Sequence, residues 1–581
     1  MTETTSLDGC AVTQISLTEA IKIANLQWWK NIVCYQIYPK SFYDTNSDGI
    51  GDLKGVIAKL DYLKNLGINT IWLNPVYRSP MVDNGYDISD YEAIADEYGT
   101  MKDLELLIHE AKQRGISIVM DLVINHTSDE HPWFLESRTN KESPKRDWYI
   151  WRDPKDDGSP PNNWRSIFGG SAWEYDPITH QYYLHVFSKK QPDLNWENPE
   201  MRQALYKMVN FWLEKGIGGF RLDAITFIKK RKDFSDSKTS SPDGLASIAE
   251  ASLNQPGILE FLQELKRQTF ANYDIFTVAE APGVPVKELP RYIGDGGVFD
   301  MLFEFDHVNI YLGNEGKWYE PVPWTLIDLK KIISDSQNMI NNMGWGALYF
   351  ENHDLPRSVN TFVKDCGPMS AKMLATIYLL LRGTPFIYQG QELGMTNIAR
   401  SSIAEYDDIA TLDQYRSALC NGYADEMALQ MVGRFSRDNA RTPMQWNDSS
   451  YAGFSDHKPW LGVNSNYCEI NVEKQVEDST SVFHYYRKLI EVRKSSEVIL
   501  SGTFELLLPE DPDIFAYTRT LNEKRVLVLT NFSDHNVVFH MPNELKFTTA
   551  KLLLCNSNVE SDDDVRRIAL HPYEARVYEL N

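Results

Sequence analysis

The sequence is poor in the features that mark disulfide-rich, secreted and membrane-spanning proteins. Its six cysteines are scattered over 581 residues, with no C-x-x-C pair and no metal-ligand spacing, so we expect free thiols in a reducing cytoplasm. No apolar run is long enough to span a bilayer, and the N-terminus lacks the basic start and apolar core of a signal peptide. We therefore expect a cytoplasmic protein without a membrane partner. The cysteines are Cys10, Cys34, Cys366, Cys420, Cys468 and Cys555.

Basic residues are also few, with 58 lysines and arginines against 81 acidic residues and a formal net charge of -23. A nucleic-acid-binding protein needs a basic surface to replace the counterions of its ligand, so DNA and RNA are not expected partners. Hydrophobic residues make up 43% and charged residues 24%, which is typical of a globular protein. The length favours a large domain with smaller appendages, while monomer and homodimer both stay open.

From residue 31 onward, short apolar runs alternate with stretches of helical periodicity, the pattern of repeated βα units. Eight such runs predict an α/β fold with a closed parallel (β/α)8 TIM barrel. Helices are predicted over residues 52–66, 101–114 and 201–215. The predicted strands are residues 33–38, 69–73, 117–123, 218–222, 275–278, 298–303, 346–350 and 385–388.

The pattern changes in three places, which predicts the domain organisation. Residues 1–27 form an N-terminal extension, residues 28–126 and 200–495 form the barrel, and residues 127–199 form an inserted lobe after strand three, with a small hairpin at 182–187. Residues 496–581 turn to alternating strands and predict a C-terminal antiparallel β-sandwich. Its predicted strands are residues 504–508, 515–519, 525–531, 537–540, 551–554 and 575–579.

Polar residues follow the predicted barrel strands at their carboxyl ends, where functional groups of such barrels lie. Ordinary barrel packing does not require them, and strands four, five and seven each contribute a carboxylate at this end of the barrel. The polar residues are Asp83 and Tyr86 in DNGYD, His126 in DLVINH, Arg221 and Asp223 in GGFRLDA, Glu280 in TVAE, and His353 and Asp354 in FENHD.

Four motifs occur in the order DLVINH, GFRLDAI, VAE and FENHD, and QPDLNW lies between the first two at residues 191–196. With these motifs the sequence resembles the α-amylase family of glycoside hydrolases, and most of all its oligo-1,6-glucosidase and α-glucosidase branch, from about Trp28 to the C-terminus. The resemblance implies a retaining, exo-acting α-glucosidase that removes glucose from the non-reducing end of short maltose- or isomaltose-type oligosaccharides. No organic cofactor is expected.

Cleavage of a glycosidic bond with retention needs one carboxylate as nucleophile and one carboxylic acid as proton donor. The resemblance implies Asp223 as the nucleophile, Glu280 as the general acid and base, and Asp354 as the group that holds the sugar hydroxyls. Arg221 lies two residues before Asp223, on the same face of the strand, and is expected to keep that carboxylate ionised. Glu280 must begin protonated, so we expect the pKa values of the two carboxyl groups to diverge.

The resemblance also implies a set of substrate-binding residues around the three carboxylates. Asp83 and Arg441, the latter in NARTPMQW, are expected to pair and to close the far end of a glucose-sized pocket. Arg437 is the alternative partner of Asp83. The other implied contacts are Tyr86 as an aromatic platform, His126 and His353 on sugar hydroxyls, and Phe168 and Gln191 as further substrate-binding residues.

The segment DTNSDGIGD places oxygen-bearing side chains at alternate positions around glycines, which resembles a calcium loop. It is not an EF-hand, because the glutamate of the twelfth position is absent. Magnesium and a plain acidic turn are the alternatives. The expected ligands of a structural Ca2+ are Asp44, Asn46, Asp48, Asp52 and the main-chain carbonyl of Ile50.

The same motifs serve transglucosylases and sucrose isomerases, so these activities stay open. The RLDRD-like loop of many sucrose isomerases is not evident around residues 315–331, which disfavours isomerisation. Members that prefer α-1,6 bonds commonly carry valine after the nucleophile, and Ala224 at that position favours α-1,4 bonds. Heavy-chain subunits of amino-acid transporters are a non-enzyme alternative, which the complete catalytic set and the lack of a membrane segment disfavour.

Overall fold

The computed structural model describes residues 28–581 except 240, 242, 295, 314–316, 558 and 560–563, so the predicted extension at 1–27 lies outside the described residues. Eight parallel strands form one sheet in the order β6-β5-β4-β3-β2-β1-β8-β7. A bridge between Leu302 and Gly346 joins the two outer strands and closes the barrel, which confirms the predicted fold. The strands are β1 (Cys34–Ile37), β2 (Thr70–Leu73), β3 (Ser117–Val123), β4 (Gly219–Asp223), β5 (Phe276–Glu280), β6 (Met301–Phe303), β7 (Ala347–Leu348) and β8 (Thr384–Tyr388).

The crossover helices follow their sequence signals closely. Thr100 and Asp103 form a capping box that starts the helix Met101–Gln113, and Asn198 caps Pro199–Glu214. The predicted helix 52–66 is split at Lys59, whose backbone leaves the helical region. In the described chain, no helix is both long enough and apolar enough to cross a membrane. The helices are Leu53–Ala58, Leu60–Leu66, Met101–Gln113, Pro132–Ser137, Pro199–Glu214, Ala249–Ser252, Ile258–Gln268, Leu289–Ile293, Leu326–Met343, Ser358–Thr361, Pro368–Leu379, Ile409–Cys420, Asp425–Phe435, Val472–Glu477, Val482–Ser495 and Glu497–Ser501.

The chain between β3 and β4 forms a small antiparallel sheet of its own. Its central strand Gln181–Leu184 pairs with Trp151–Arg152 and with Trp173–Asp176, so the hairpin predicted at 182–187 lies further toward the N-terminus than expected. A bridge between His126 and Asp193 ties the end of this segment to the carboxyl end of β3. The lobe is thereby anchored at the mouth of the barrel.

The C-terminal residues form a five-stranded antiparallel sheet in the order β9-β10-β11-β15-β13 and a two-stranded ribbon of β12 and β14. Leu507, Leu527 and Leu529 of the sheet pack against Phe539 and Ile568 of the ribbon. The antiparallel prediction is confirmed, although β14 was not among the predicted strands. The strands are β9 (Thr503–Leu507), β10 (Ile514–Leu521), β11 (Lys524–Asn531), β12 (Val537–His540), β13 (Ala550–Cys555), β14 (Arg567–Leu570) and β15 (Ala575–Leu580).

The helix Pro368–Leu379 lies between the barrel and the C-terminal sheet, and every residue from 370 to 379 is buried. An all-round apolar helix is stable only when covered on all sides. Side chains from the C-terminal half satisfy the carbonyls at its end. Arg519 Nη1 donates to Leu380 O at 2.8 Å, Arg493 Nη1 to Leu379 O at 2.7 Å, and the Tyr517 hydroxyl to Ile377 O at 2.8 Å.

Candidate active site

Arg221 lies in the middle of β4, opposite Asp121 of the neighbouring strand β3. Its Nη1 is 2.8 Å from Asp121 Oδ1 and 2.7 Å from Asp223 Oδ1, while its Nη2 is 2.9 Å from Glu280 Oε2. Only 1% of the Arg221 side chain is exposed. Three carboxylates from three adjacent strands therefore meet one buried guanidinium, and we call Asp121, Arg221, Asp223 and Glu280 the inner cluster.

The inner cluster has more carboxylates than cations, and this sets its protonation. Burial raises the pKa of Asp223 to about 7, although Arg221 acts in the opposite direction. Burial also raises the pKa of Glu280 to about 7, against the same guanidinium. Both pKa values are raised, because both groups are buried and share Arg221, so the divergence expected between the two stays a prediction. Near neutral pH the pair holds a shared proton, which belongs to the cluster as a whole.

A second group of charges, the outer cluster, lies across the pocket and comprises Asp83, Asp354, Asp408, Arg437 and Arg441. Arg437 Nη2 is 3.1 Å from Asp83 Oδ1 and 2.6 Å from Asp408 Oδ1, and its Nη1 is 3.2 Å from Asp354 Oδ1. Arg441 instead contacts Asp354 Oδ1 at 2.8 Å and the main-chain oxygen of His353. The predicted pairing of Asp83 with Arg441 is therefore wrong, and Arg437 is the partner of Asp83.

The outer cluster favours ionised carboxylates. Burial opposes ionisation of Asp354, but the imidazole of His353 and the guanidiniums of Arg437 and Arg441 outweigh it and hold the pKa well below its usual range. The pKa of Asp408 is also lowered, because the same two guanidiniums exceed the effect of burial. Burial raises the pKa of Asp83 despite Arg437. Two cations thus keep most of this cluster charged.

The predicted aromatic and imidazole residues lie between the two clusters. The rings of Tyr86 and His353 stack with centroids 5.3 Å apart, and the Tyr86 hydroxyl is 2.7 Å from His353 Nε2. His126 and Gln191 contact each other at 3.1 Å, and Gln191 Nε2 also donates to Asp83 Oδ2 at 3.1 Å. Burial lowers the pKa of His126 to about 4 and that of His353 to about 3, so both imidazoles are neutral at pH 7.

A cavity of about 350 Å³ opens over these groups at the carboxyl ends of the strands. Four of the predicted residues, Gln191, Arg221, His353 and Arg441, lie behind its wall, so their direct contact with a sugar stays a prediction. The wall carries seven predicted residues, namely Asp83, Tyr86, His126, Phe168, Asp223, Glu280 and Asp354. The further lining residues are Ile167, Phe187, Ala224, Phe227, Pro282, Phe305, Asn309, Tyr311, Leu312, Trp318, Asn352, Leu355, Phe435 and Arg437.

Sequence reasoning missed Asp121 and Asp408 and chose Arg441 over Arg437. A signal existed for Asp121, since it opens the motif DLVINH as a charged residue within an otherwise apolar strand, and a buried charge requires a partner. Asp408 carries no such signal, because an aspartate before a helix reads as an ordinary N-cap. It does cap Ile409–Cys420 and contacts Arg437 in addition.

Ala224, directly after the predicted nucleophile, has a left-handed backbone with φ 44° and ψ 33°. This conformation is uncommon for a residue with a Cβ atom. It points the Ala224 N–H at Glu280 Oε2, 3.1 Å away. The turn at the end of β4 therefore links the backbone beside Asp223 to the carboxylate of Glu280.

The acidic loop predicted to bind calcium is a tight turn closed by its own hydrogen bonds. Asp44 accepts from the backbone N–H groups of residues 46, 47 and 49, and Asn46 Nδ2 donates to Asp48 Oδ2 at 3.0 Å. Asp52 caps Leu53–Ala58 by accepting from Gly55 N. Within the described chain no group of three or more His, Cys, Asp or Glu residues is arranged to hold a metal. The side-chain oxygens are of the type that Ca2+ prefers, but the loop N–H groups already engage them, so the metal stays a prediction.

The family model for the alpha amylase catalytic domain matches residues 36–502, and the model for the maltogenic amylase C-terminal domain matches residues 504–577. Together they span almost the whole barrel and the C-terminal sheet described above. The chain belongs to the α-amylase family and is a glycoside hydrolase.

Among curated relatives, the chain is 51% identical over 557 residues to an oligo-1,6-glucosidase of Parageobacillus thermoglucosidasius, covering 95% of this chain and 99% of that protein. Among solved structures, it resembles the trehalulose synthase of Pseudomonas mesoacidophila with a TM-score of 0.91 and 43% identity, covering 95% and 99% of the two chains. It also resembles the trehalose-6-phosphate hydrolase of Bacillus licheniformis, with a TM-score of 0.89, 44% identity and the same coverage.

Proposed function

We propose that this glycoside hydrolase is a retaining, exo-acting α-glucosidase that releases glucose from short α-glucosides. The observation that carries the proposal is the inner cluster, in which Asp223 and Glu280 contact the two ends of one guanidinium. One guanidinium that contacts both carboxyl groups holds them near each other, which supports the close pair, about 5 to 5.5 Å apart, that retaining enzymes use.

In this mechanism Asp223 attacks the anomeric carbon and forms a covalent glucosyl-enzyme, while Glu280 gives its proton to the departing oxygen. Glu280 then takes a proton from the water that hydrolyses the intermediate. The shared proton of the inner cluster supports these roles, because one carboxyl group must be protonated and the other ionised before the first step. Asp354, held ionised by Arg437 and Arg441, is available to accept hydrogen bonds from the sugar hydroxyls.

The outer cluster supports exo action. Arg437 connects Asp83, which follows β2, with Asp354, which follows β7, and so closes one side of the cavity. A chain that must enter a closed pocket can place only its terminal residue there. The enzyme would therefore remove one glucose at a time from the non-reducing end.

The linkage preference has two indications. Ala224 leaves more room beside the nucleophile than the valine of α-1,6-preferring members, which favours α-1,4 bonds such as that of maltose. Several relatives, with 48–51% identity, are named oligo-1,6-glucosidase, which supports α-1,6 bonds among the substrates. We propose that both linkages are cleaved, with maltose preferred.

The solved structures suggest two other candidate functions. The likeness to a trehalulose synthase supports isomerisation of sucrose as an alternative fate of the glucosyl-enzyme. Transglucosylation is another alternative fate of the same intermediate. A phosphorylated disaccharide is less suited to this pocket. Among the described lining residues the sole arginine or lysine is Arg437, which already pairs with three carboxylates, whereas a phosphate needs cations that are free to bind it.

We also propose that the loop of Asp44, Asn46, Asp48, Ile50 and Asp52 binds a structural Ca2+ or Mg2+ away from the reacting atoms. Metal analysis of the purified enzyme and the effect of a chelator on the melting temperature test this. A metal-free protein whose melting temperature does not respond to Ca2+ would contradict it.

A cytoplasmic location is proposed because the described cysteines are all free thiols.

A product-resolved panel of maltose, isomaltose, sucrose, trehalose, trehalose 6-phosphate and maltotriose tests the proposal. Glucose should be the first product of maltose and isomaltose, and NMR should show it initially as the α-anomer. Initial β-glucose would rule out the retaining mechanism. Conversion of sucrose to an isomer with little free glucose would replace the hydrolase assignment with that of an isomerase.

A further inference from the structure

A ring of four buried side chains lies beneath the cavity, built from Gln36 of β1, Asn74 after β2, Tyr86 and His353. Gln36 Nε2 is 2.8 Å from both Asn74 Oδ1 and His353 Nδ1. Asn74 Nδ2 is 2.8 Å from the Tyr86 hydroxyl, which is 2.7 Å from His353 Nε2. Gln36 and Asn74 are each about 1% exposed, so water does not compete for these contacts.

Every hydrogen bond in the ring has a defined direction. An amide Nε2 can only donate, so His353 Nδ1 accepts from Gln36 and carries no proton. A neutral imidazole with a bare Nδ1 carries its proton on Nε2, and that N–H faces the Tyr86 oxygen and Asp354 Oδ2, the latter 3.1 Å away. The Tyr86 hydroxyl, which accepts from Asn74, is then free to donate to Asp121 Oδ2 at 3.0 Å.

If the hydrogen bonds of the ring ran in the opposite direction, two contacts would be unfavourable. If Gln36 turned its oxygen toward His353, Nδ1 would be protonated, and the lone pair of Nε2 would face the ionised carboxylate of Asp354. The single proton of Tyr86 would then have to serve His353 and Asp121 at once. Only the first arrangement gives each acceptor a donor.

We propose that Gln36 and Asn74 are positioning residues of the catalytic reaction, which fix the Nε2-protonated tautomer of His353 and the orientation of the Tyr86 hydroxyl. Through Tyr86 the ring reaches Asp121 and hence the inner cluster, and through His353 it reaches Asp354 of the outer cluster. The inference rests on the proposed function, because it assigns these groups to the pocket in which glucose is cleaved.

The test uses Gln36→Glu, Gln36→Leu and the control Gln337→Leu in the full chain. Glutamate keeps the shape of glutamine but accepts where glutamine donates, so it should move the proton of His353 to Nδ1. Gln337 has the same 1% exposure and hydrogen-bonds only the backbone at Arg382, in the helix Leu326–Met343. Its replacement should lower stability without a change in the ratio of kcat to KM.

Nitrogen-15 histidine NMR reads the tautomer directly, with the His353 signals assigned from their loss in His353→Phe. We expect Nδ1 of the wild type to be unprotonated, and Nδ1 of Gln36→Glu to be protonated. A wild-type Nδ1–H would overturn the proposal whatever the enzyme hydrolyses, so this measurement is independent of the proposed function.

Kinetics provide the second measurement. We expect both Gln36 variants to reduce kcat on maltose at least about 10-fold with a smaller change in KM, because a wrong histidine tautomer disables the groups it contacts. In the His353→Phe background, Gln36→Leu should have little further effect. Full multiplication of the two effects, or wild-type kcat in Gln36→Glu, would show that Gln36 does not act through His353.

Discussion

The inner and outer clusters are both built from carboxylates and arginines, but they shift the pKa values of Asp223, Glu280 and Asp354 in different directions. In the inner cluster Arg221 serves Asp121, Asp223 and Glu280, so acid outnumbers base and the pKa values of Asp223 and Glu280 rise to about 7. In the outer cluster Arg437 and Arg441 serve three aspartates, and the pKa of Asp354 falls. Burial is the main cause of the raised pKa values in the inner cluster, whereas the Asp354 side chain is 34% exposed and lies beside His353 and two guanidiniums, so burial and the number of cations both separate the clusters.

This difference suits the two halves of a glycosidase pocket. Proton transfer needs a carboxyl group that changes its charge near neutral pH, and the inner cluster meets this need through its excess of acid. Binding a sugar hydroxyl needs an acceptor that stays ionised, and the outer cluster meets that need through its second cation. Substitutions in either cluster test this division.

Asp223→Asn should abolish turnover, with a loss of about 10^4-fold or more in kcat, because the amide cannot attack the anomeric carbon. Steady-state assays on maltose measure the loss, and circular dichroism should show an unchanged fold. Retained activity would refute the assigned nucleophile.

Glu280→Gln should lower kcat about 10^3-fold on maltose and much less on an aryl glucoside whose leaving group needs no proton. In the wild type, activity should fall on the alkaline side as Glu280 loses its proton, with its pKa raised by burial to about 7. That limb should vanish in the variant. An unchanged alkaline limb would assign the titration to another group.

Arg437→Met should damage the enzyme more than Arg441→Met, since Arg437 contacts three carboxylates and Arg441 contacts one. Leaving buried carboxylates without their cation costs about 3 to 5 kcal/mol of unfolding free energy. Denaturant unfolding measures this, and the KM for maltose should rise in parallel. Equal losses in the two variants would contradict the pairing of Arg437 with Asp83.

At pH 8, Asp223→Asn should raise the free energy of unfolding by roughly 1 to 3 kcal/mol, and Asp354→Asn should lower it by a smaller amount, because the Asp354 side chain is 34% exposed and solvent screens its charge. The pKa of Asp223 is raised, so its ionised form weakens the fold above about pH 7, and the amide removes that cost. The pKa of Asp354 is lowered, so its ionised form strengthens the fold at any pH above its usual range.

The pH dependence of the two differences checks the signs. The advantage of Asp223→Asn should shrink as pH falls from 7 toward 4, where the wild-type carboxyl group is protonated in both states. The deficit of Asp354→Asn should shrink only below about pH 4, the usual aspartate value. Melting temperatures measured across this pH range provide the test. A change of the same sign in both variants, relative to the wild type, would contradict the division between the two clusters.

Ala224→Val should shift the ratio of maltose to isomaltose cleavage toward isomaltose by about 10-fold, or about 1.4 kcal/mol. The left-handed backbone at this position disfavours a β-branched side chain, so a small loss of stability should accompany the shift. Ala224→Gly is the control, since it relieves the strain without adding bulk. An unchanged ratio in the valine variant would show that this residue does not determine the linkage preference.

Much of the barrel could be predicted because each strand is a short apolar run whose polar residues stand at its end. Asp223, Glu280 and Asp354 followed from those positions and from the motif order. Which arginine pairs with Asp83 could not be predicted, because Arg437 and Arg441 are four residues apart. The choice depends on the turn that begins at Arg437, just after the helix Asp425–Phe435.

The protonation of the inner cluster could not be predicted from the sequence either. Proximity of Arg221 to Asp223 along the strand suggested an ionised nucleophile, but burial raises the pKa of Asp223, and Asp121 and Glu280 reach the same guanidinium from neighbouring strands. Charge balance in a buried site depends on all partners in space, whereas sequence spacing reveals only those on one strand.

The position of the helix Pro368–Leu379 bears on how the protein is made. Its outer face is covered by β10, β11 and β15, which follow the helix by more than a hundred residues and are therefore synthesised well after it. While those residues are still being synthesised, the helix has no cover for that face, and Leu380 O lacks the arginine that caps it in the finished protein. The packing around this helix is therefore complete only after those strands have been synthesised, and a message cut short after codon 501 would yield a product with an exposed apolar helix that is prone to aggregate.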